Sequence, residues 1–342
     1  VKAIVLEEHG DISQLQYKEK GRKQELASDE IYVEIRYCAL NHLDLWLRKG
    51  GTGDKFNLPT VPGSDISGVV AETGADVTHV KKGDAVLIYP GVSCGHCEMC
   101  ANGWETRCPE FQIIGYQRDG GYAEGVVVPS KNVLRIPSDY MDQWAAVPIS
   151  YVTAWNALVT KGGLNVNDTV AVWGAAGGLG FAALSIVRGF GAEAIAIVGS
   201  EEKKAFLRER GFDGHVVVRS DDILKDIRSI AKKGVSLVLD QAGRATWNHS
   251  LKMLGRGGRL ACCGITTGPK TETDLRYIFG KQLSISGSWM GDKKDLLEVI
   301  TFLERQPELL PYIDRTYPLK EAGDAQKFVE EGNHNGKVLL EI

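Results

Sequence analysis

The sequence predicts an α/β protein in two parts, a mostly-β half followed by a doubly wound parallel sheet, and three observations carry that reading. From Val1 to about Ala146, short apolar runs are separated by Gly, Pro and Asp turns. From Asn167 onward, apolar strand candidates alternate with helix-like stretches. Between two of these elements lies a glycine-rich turn, Gly174 to Gly180, joining a strand candidate to a helix pattern. Alternation of that kind implies a parallel sheet with helices on both faces.

In the first half the strand candidates include Ile31 to Tyr37, Ile66 to Ala71 and Ala85 to Ile88. In the second they are Thr169 to Trp173, Ala194 to Val198, Val216 to Val218, Val235 to Leu239 and Gly258 to Cys263, with Gln282 to Ser286 completing six. After Gly287, a helix pattern over Lys294 to Glu304 and a closing strand over Lys337 to Ile342 return the chain to the first part. No internal repeat, low-complexity segment or long charge run interrupts this order.

The 342 residues are enough for two domains, each with its own core. Forty basic against 44 acidic side chains give a net charge of -4, which offers no field to attract nucleic acid or an anionic membrane. The partner expected is therefore a small-molecule substrate. Thr169 to Val187 carries no charge and has nearly the length of a membrane span, but Gly174, Gly177, Gly178 and Gly180 break it where a span needs continuous helix. The first residues alternate with charge too early for a signal peptide, so the expectation is a cytoplasmic protein.

The turn reads Gly174-Ala175-Ala176-Gly177-Gly178-Leu179-Gly180, with Ala175 at the first glycine position of the usual G-x-G-x-x-G. Glycines allow a tight turn and close approach to a pyrophosphate, whose charge then meets the unpaired amides and positive dipole end of the helix. The next strand ends at Gly199, where an NAD-binding protein usually carries a carboxylate for the ribose 2'-hydroxyl. Ser200 can donate a hydrogen bond, Lys203 can add charge, and Arg219 follows the third strand, so NADPH is expected over NADH. Glu201 and Glu202 are the features that favour NADH.

Four of the seven cysteines fall as Cys94-x-x-Cys97-x-x-Cys100 with Cys108 after seven more residues. Four thiolates so spaced can surround one tetrahedral zinc and leave no position open for water or substrate, which predicts a structural zinc in a lobe near residues 90–110. A redox pair needs neither the third nor the fourth cysteine.

In this order of parts the chain resembles the medium-chain dehydrogenase/reductase superfamily over essentially its whole length. The resemblance rests on Gly63 to Gly68, the cysteine lobe, Val152-Thr153-Ala154-Trp155, the glycine turn, Asp240 to Gly243 and Gly336-Lys337-Val338. It implies a GroES-like, mostly-β catalytic domain from residues 1–148 and 287–342, and a Rossmann domain over 149–286. The lobe is typical of the zinc alcohol dehydrogenase branch, yet the catalytic zinc ligands of that branch are missing. Its Cys-His-Thr-Asp is here Asn41-His42-Leu43-Asp44, its Gly-His-Glu is Gly63-Ser64-Asp65, and its third ligand falls near Ile149. Asn41 and Asp44 instead resemble the Asn-x-x-Asp of quinone oxidoreductases and related enoyl reductases, which need no catalytic metal.

The resemblance therefore implies hydride transfer from NADPH to a quinone or an α,β-unsaturated carbonyl. Conjugation spreads the arriving charge onto the oxygen, where hydrogen-bond donors can stabilise it without a Lewis acid; a saturated carbonyl concentrates an alkoxide that zinc normally neutralises. By position, Thr153 contacts the nicotinamide, Asn41 the substrate oxygen or the carboxamide, and His42 the pyrophosphate rather than serving as proton donor. Asp44 is expected as a structural partner, Asp65 as either partner or base, and Tyr151 as a substrate donor or a packed aromatic. Two other readings remain open: an alcohol dehydrogenase with a rearranged site from Cys38, His42 and Asp65, and an NADPH-binding protein without turnover. A homodimer or homotetramer is expected, paired through the edge strand Gln282 to Ser286.

Overall fold

The computed structural model describes residues 1–21, 25–51 and 53–342. The chain divides into two compact units: Val1–Ile149 with Asp292–Leu296 and Pro311–Ile342, and Ser150–Gly291 with Leu297–Leu310.

The first unit is built on a sheet whose strands run in the order Ile313–Pro318, Lys337–Glu341, Glu30–Ala39, Asp65–Thr73, Ala85–Ile88 and Val133–Arg135, with Gly125–Pro129 also paired to Glu30–Ala39. The closing strand lies antiparallel to Glu30–Ala39 with Leu339 opposite Ala39 and Leu340 opposite Cys38. On its other side Glu30–Ala39 is antiparallel to Asp65–Thr73, with Ala39 opposite Asp65. These registers bring three separated stretches of sequence to one end of the sheet: Lys337, Asn41 just past Ala39, and Asp65. Ile31, Val33, Ile35, Cys38, Ile66, Val70, Val86, Ile88, Val338 and Leu340 fill the core of this unit.

The second unit holds six parallel strands in the order His215–Val218, Glu193–Val198, Thr169–Trp173, Val235–Asp240, Leu254–Cys262 and Ser284–Gly287. This is the Rossmann order, with a reversal beside the first strand that opens the place where such sheets bind ligands. Thr169–Trp173 is buried from its second residue, and the uncharged run after it forms a turn and then the helix Gly178–Gly189. Among the described residues no helix is long and apolar enough to cross a membrane.

The expected return to the first domain at 287 differs from the structure, which keeps residues 297–310 with the second unit. The cause is aromatic packing: Phe302 meets Trp155 edge to ring and Phe190 at a tilt of 35°, and Trp155 Nε1 donates to Glu298 at 2.8 Å.

Candidate functional site

In the first unit, Asn41 precedes the helix His42–Lys49 in an extended conformation and serves as its N-cap. Its backbone N–H donates to Asp44 Oδ2 at 2.7 Å, and Gly63 N–H donates to Asp44 Oδ1 at 3.1 Å. Asp44 thus ties the helix start to the loop entering Asp65–Thr73. Burial, opposed by these amides, raises its pKa to about 7.

Asp65 is 0 % exposed. Its Oδ1 accepts from Ile149 N–H at 2.7 Å; its Oδ2 accepts from Asn41 Nδ2 and from Lys337 Nζ, each at 2.9 Å. Lys337 Nζ also donates to Asn41 Oδ1 at 2.7 Å. Lys337 is 4 % exposed, so the cluster is a buried ammonium between a carboxylate and an amide. A buried charge persists only when paired and hydrogen-bonded, and here it is both. Ser64, beside Asp65, is fully buried, and its Oγ has no hydrogen-bond partner among the described residues.

Residues 27–138 match the family described as alcohol dehydrogenase GroES-like domain, and residues 178–305 match zinc-binding dehydrogenase. Over 347 aligned residues, covering 100% of both chains, the sequence is 31% identical to an alcohol dehydrogenase of Geobacillus stearothermophilus. The chain is a medium-chain dehydrogenase/reductase. The solved structure of an NAD-dependent alcohol dehydrogenase is 36% identical with a TM-score of 0.95, covering 100% of both chains. That of a 2-octenoyl-CoA carboxylase reductase in complex with NADP and 2-octenoyl-CoA is 28% identical with a TM-score of 0.87, covering 96% of this chain and 82% of that one. Like these relatives, this medium-chain dehydrogenase/reductase is an NAD(P)-dependent oxidoreductase.

The glycine turn and the residues expected beside it, Thr153, Ser200, Lys203 and Arg219, lie in the second unit of this dehydrogenase/reductase. The strand Thr169–Trp173 runs into Gly174 at φ +59°, a left-handed turn, and a Cβ on Gly180 would stand 2.2 Å from Gly174 O. Ala175 N–H donates to Ile197 O and Gly177 N–H to Gly174 O, while Gly177 caps the helix Gly178–Gly189. The amides of Gly178, Leu179 and Gly180 thus belong to the first turn of a helix with no acidic residue there, an arrangement that fits a pyrophosphate.

The turn is braced from behind. Asp240 Oδ1 accepts from Ala242 N–H, Gly243 N–H and Thr246 Oγ1, and Asp240 Oδ2 accepts from Ser250 Oγ. Ser250 Oγ in turn accepts from Trp173 Nε1 at 2.9 Å.

After Glu193–Val198, Gly199 stands in the open with nothing within 4 Å of a Cβ placed on it. Ser200 caps the next helix, accepting from Lys203 N–H at 3.4 Å, and its hydroxyl lowers the pKa of Glu202. Arg219 N–H donates to Val198 O, which holds Arg219 beside that strand end. Thr153 is buried within the helix Pro148–Trp155.

Several expected roles change. Tyr151 is 1 % exposed and its hydroxyl donates to Leu309 O at 2.5 Å, which matches the packed aromatic of its two expected roles rather than the substrate donor. Asn41 is not an isolated donor either, because both ends of its amide engage Lys337 and Asp65. Cys38, His42 and Asp65 do not converge into a ligand set among the described residues. The Cys38 thiol packs against Gly63 and Gly121, and burial raises its pKa well above the ordinary range. At His42, desolvation and then the charges of Lys337 and Lys49 lower the pKa. Lys337, which sequence reasoning treated only as part of a C-terminal motif, is the residue it missed. The signal available was a lysine opening an otherwise apolar strand, Lys-Val-Leu-Leu.

In the lobe, the Cys94, Cys97, Cys100 and Cys108 sulfurs lie within 4.8 Å of one another. Cys94 and Cys100 Sγ are 3.9 Å apart, Cys97 and Cys100 Sγ 3.5 Å. Tetrahedral zinc with bonds of about 2.3 Å needs sulfurs roughly 3.8 Å apart, so the set fits. The amides of His96 and Cys97 lower the Cys94 pKa to about 6, while, against the Cys100 amide, burial and the neighbouring thiols push that of Cys97 up to about 11, so the sulfurs share protons that a bound metal would displace. Cys94, His96 and Glu110 form a second converging group on the same lobe, with His96 and Glu110 exposed.

Proposed function

We propose that this enzyme reduces a quinone or an α,β-unsaturated carbonyl compound with NADPH, without a catalytic metal, and that its cysteine lobe holds one structural zinc. One observation carries the reading: Asn41 spends its side chain on a buried ammonium and a carboxylate, where the alcohol dehydrogenase branch places a metal thiolate. Asn41, Ser64 and Ile149 offer no imidazole or thiolate, whereas a catalytic zinc takes about three such ligands. The related carboxylase reductase, solved with NADP and an unsaturated thioester, supports both the cofactor and the substrate class.

Bound at the Gly174–Gly180 turn, the cofactor supplies a hydride. The chain's own residues do the rest. The first-turn amides of Gly178, Leu179 and Gly180 hold the pyrophosphate, and Thr153 packs on the nicotinamide. Gly199 leaves room for a 2'-phosphate, with Ser200, Lys203 and Arg219 as its partners. Asp44 holds Asn41 in place, and hydrogen-bond donors of the cluster stabilise the oxygen that gains charge.

We further propose a dimer through Ser284–Gly287, the edge of the parallel sheet. Nearby Leu275, Phe279, Ile285 and Trp289 expose large apolar surfaces, Phe279 being 73 % exposed.

The test is metal content per chain on protein purified without added zinc, together with NADPH oxidation by quinones, enals and enoyl thioesters. One equivalent of zinc and turnover of conjugated acceptors are the expected results. Two equivalents with oxidation of simple alcohols would return the protein to the alcohol dehydrogenases, which the Geobacillus relative represents. Cofactor binding with no acceptor turned over would mark a protein that only binds NADPH.

A further inference from the structure

We propose that His96 and Glu110 form, with Cys94, an outer landing site for the zinc ion of the cysteine lobe: they capture a divalent cation from solvent and pass it inward to the four sulfurs. The inference rests on the reading of the lobe as a structural zinc site and deepens it by naming the route the ion takes.

Two ligand groups share one sulfur. A ring nitrogen of His96, a carboxylate oxygen of Glu110 and the Cys94 sulfur lie within 4.8 Å of one another, and Cys94 also belongs to the set with Cys97, Cys100 and Cys108. Both groups lie within the first unit, so one compact body sets their geometry. Local turns build the outer group. Gly95, at φ +82°, folds the chain back between Cys94 and His96, and Phe111 N–H donates to Cys108 O at 3.0 Å across the turn that carries Glu110. Cys97 N–H donates to Cys94 Sγ at 3.4 Å and holds the shared sulfur in place.

The chemistry of the outer group suits an ion in transit. His96 Nδ1 lies 3.1 Å from Cys94 O, and since a carbonyl only accepts, Nδ1 carries the proton and Nε2 keeps the lone pair. A ligating histidine is commonly oriented by just such a bond from its other ring nitrogen. Nitrogen, oxygen and sulfur are all ligands that zinc accepts, but three of them leave a fourth position open to water, whereas four thiolates close the shell. Exposure falls along the same path. His96 and Glu110 are exposed, Cys94, Cys97 and Cys100 are half-buried, and Cys108 is 5 % exposed. A hydrated cation therefore meets the imidazole and the carboxylate first and the buried sulfur last.

One bond is kept throughout the transfer. Cys94 Sγ holds the ion while His96 and Glu110 let go and Cys97, Cys100 and Cys108 take it, each thiol giving its proton to solvent as it ligates. The ion stays divalent, and no electron moves. Because His96 and Glu110 are not among the final ligands, their loss changes how fast zinc passes and not how tightly it is held.

The test follows zinc on the intact, zinc-loaded chain. Loss of zinc to excess chelator and replacement of bound zinc by an isotope of zinc give the rates, and competition with a chelator at equilibrium gives the affinity. His96→Ala with Glu110→Gln should slow release and replacement alike by about tenfold, while zinc stays at one equivalent and the affinity changes less than about threefold. A pair that merely braced the lobe would behave the other way, its loss weakening binding and speeding release. Glu110→Asp, which keeps the carboxylate, should recover part of the rate. Unchanged rates, or faster release with weaker binding, overturn the proposal. So does a second equivalent of zinc in the wild-type protein that His96→Ala removes, since the outer group would then be a permanent site. If the wild-type protein takes up no zinc even when it is supplied, the reading of the lobe itself has failed, and the route falls with it.

Discussion

Two clusters in the same unit solve the problem of a concentrated charge in opposite ways. The lobe gathers Cys94, Cys97, Cys100 and Cys108, negative when ionised, around a space that fits a cation from solution. The sheet end gathers Asp65 and Asn41 around a cation that belongs to the chain, the ammonium of Lys337. The first is local, with its ligands spread over fifteen residues, from Cys94 to Cys108. The second joins residues 41, 65 and 337 through strand register. A local loop of sulfurs can be ordered by a metal that it binds, whereas a cluster pinned by a sheet is ordered when the sheet forms.

That contrast can be broken most forcefully at the lobe. Cys97→Ser should drop bound zinc well below one equivalent and lower the melting temperature by about ten degrees or more, as metal binding is coupled to folding in such sites. Metal analysis and thermal melts check it; unchanged zinc would remove the lobe from the comparison.

At the sheet end, Asp65→Ala leaves the Lys337 charge buried without its carboxylate, and breaking such a pair costs about 3–5 kcal/mol. Zinc content should not move. Denaturant titration beside metal analysis measures both, and a loss of zinc here would show that the clusters are not independent.

A subtler probe is pH. Asp44 has its pKa raised to about 7 by burial, from an unfolded value near 4, so the folded state holds its proton more tightly. Its contribution is complete below about pH 4 and is lost as pH rises through about 7, by at most about 4 kcal/mol. Stability measured at pH 5 should exceed that at pH 8, and the difference should shrink in Asp44→Asn. A lobe-driven pH effect would run the other way, because thiolates bind metal better as pH rises.

The smallest effect lies away from both clusters. Gly199→Asp places a carboxylate in open space at the end of Glu193–Val198, where it repels a 2'-phosphate and accepts from a 2'-hydroxyl. The ratio of NADPH to NADH efficiency should fall about tenfold, roughly 1.4 kcal/mol, with zinc content and kcat for the better cofactor unchanged. Steady-state kinetics with both cofactors decides it.

What could be read in the sequence follows the same division. The glycine turn, the cysteine lobe and the strands Ala85–Ile88 and Thr169–Trp173 are legible because neighbouring residues determine them. The absence of metal-ligand residue types at 41 and 64 is equally visible. Lys337 was not legible as part of a site, since nothing within its own strand tells that Leu339 will lie opposite Ala39. Tyr151 could be misread for a like reason: its partner, Leu309 O, lies 158 residues away. Residues 297–310 follow the second unit through Phe302 and Glu298, contacts that helix periodicity alone does not reveal.

The carboxylate of Asp240 has a last implication. With four donors converging on it and Ser250 passing the linkage to the indole of Trp173, the residue just before Gly174 cannot drift without breaking a chain of bonds. Disorder in that segment is therefore surrendered when the protein folds, not when a dinucleotide arrives. A ligand docking there loses little affinity to tidying the loop, and its release need not wait for the loop to melt.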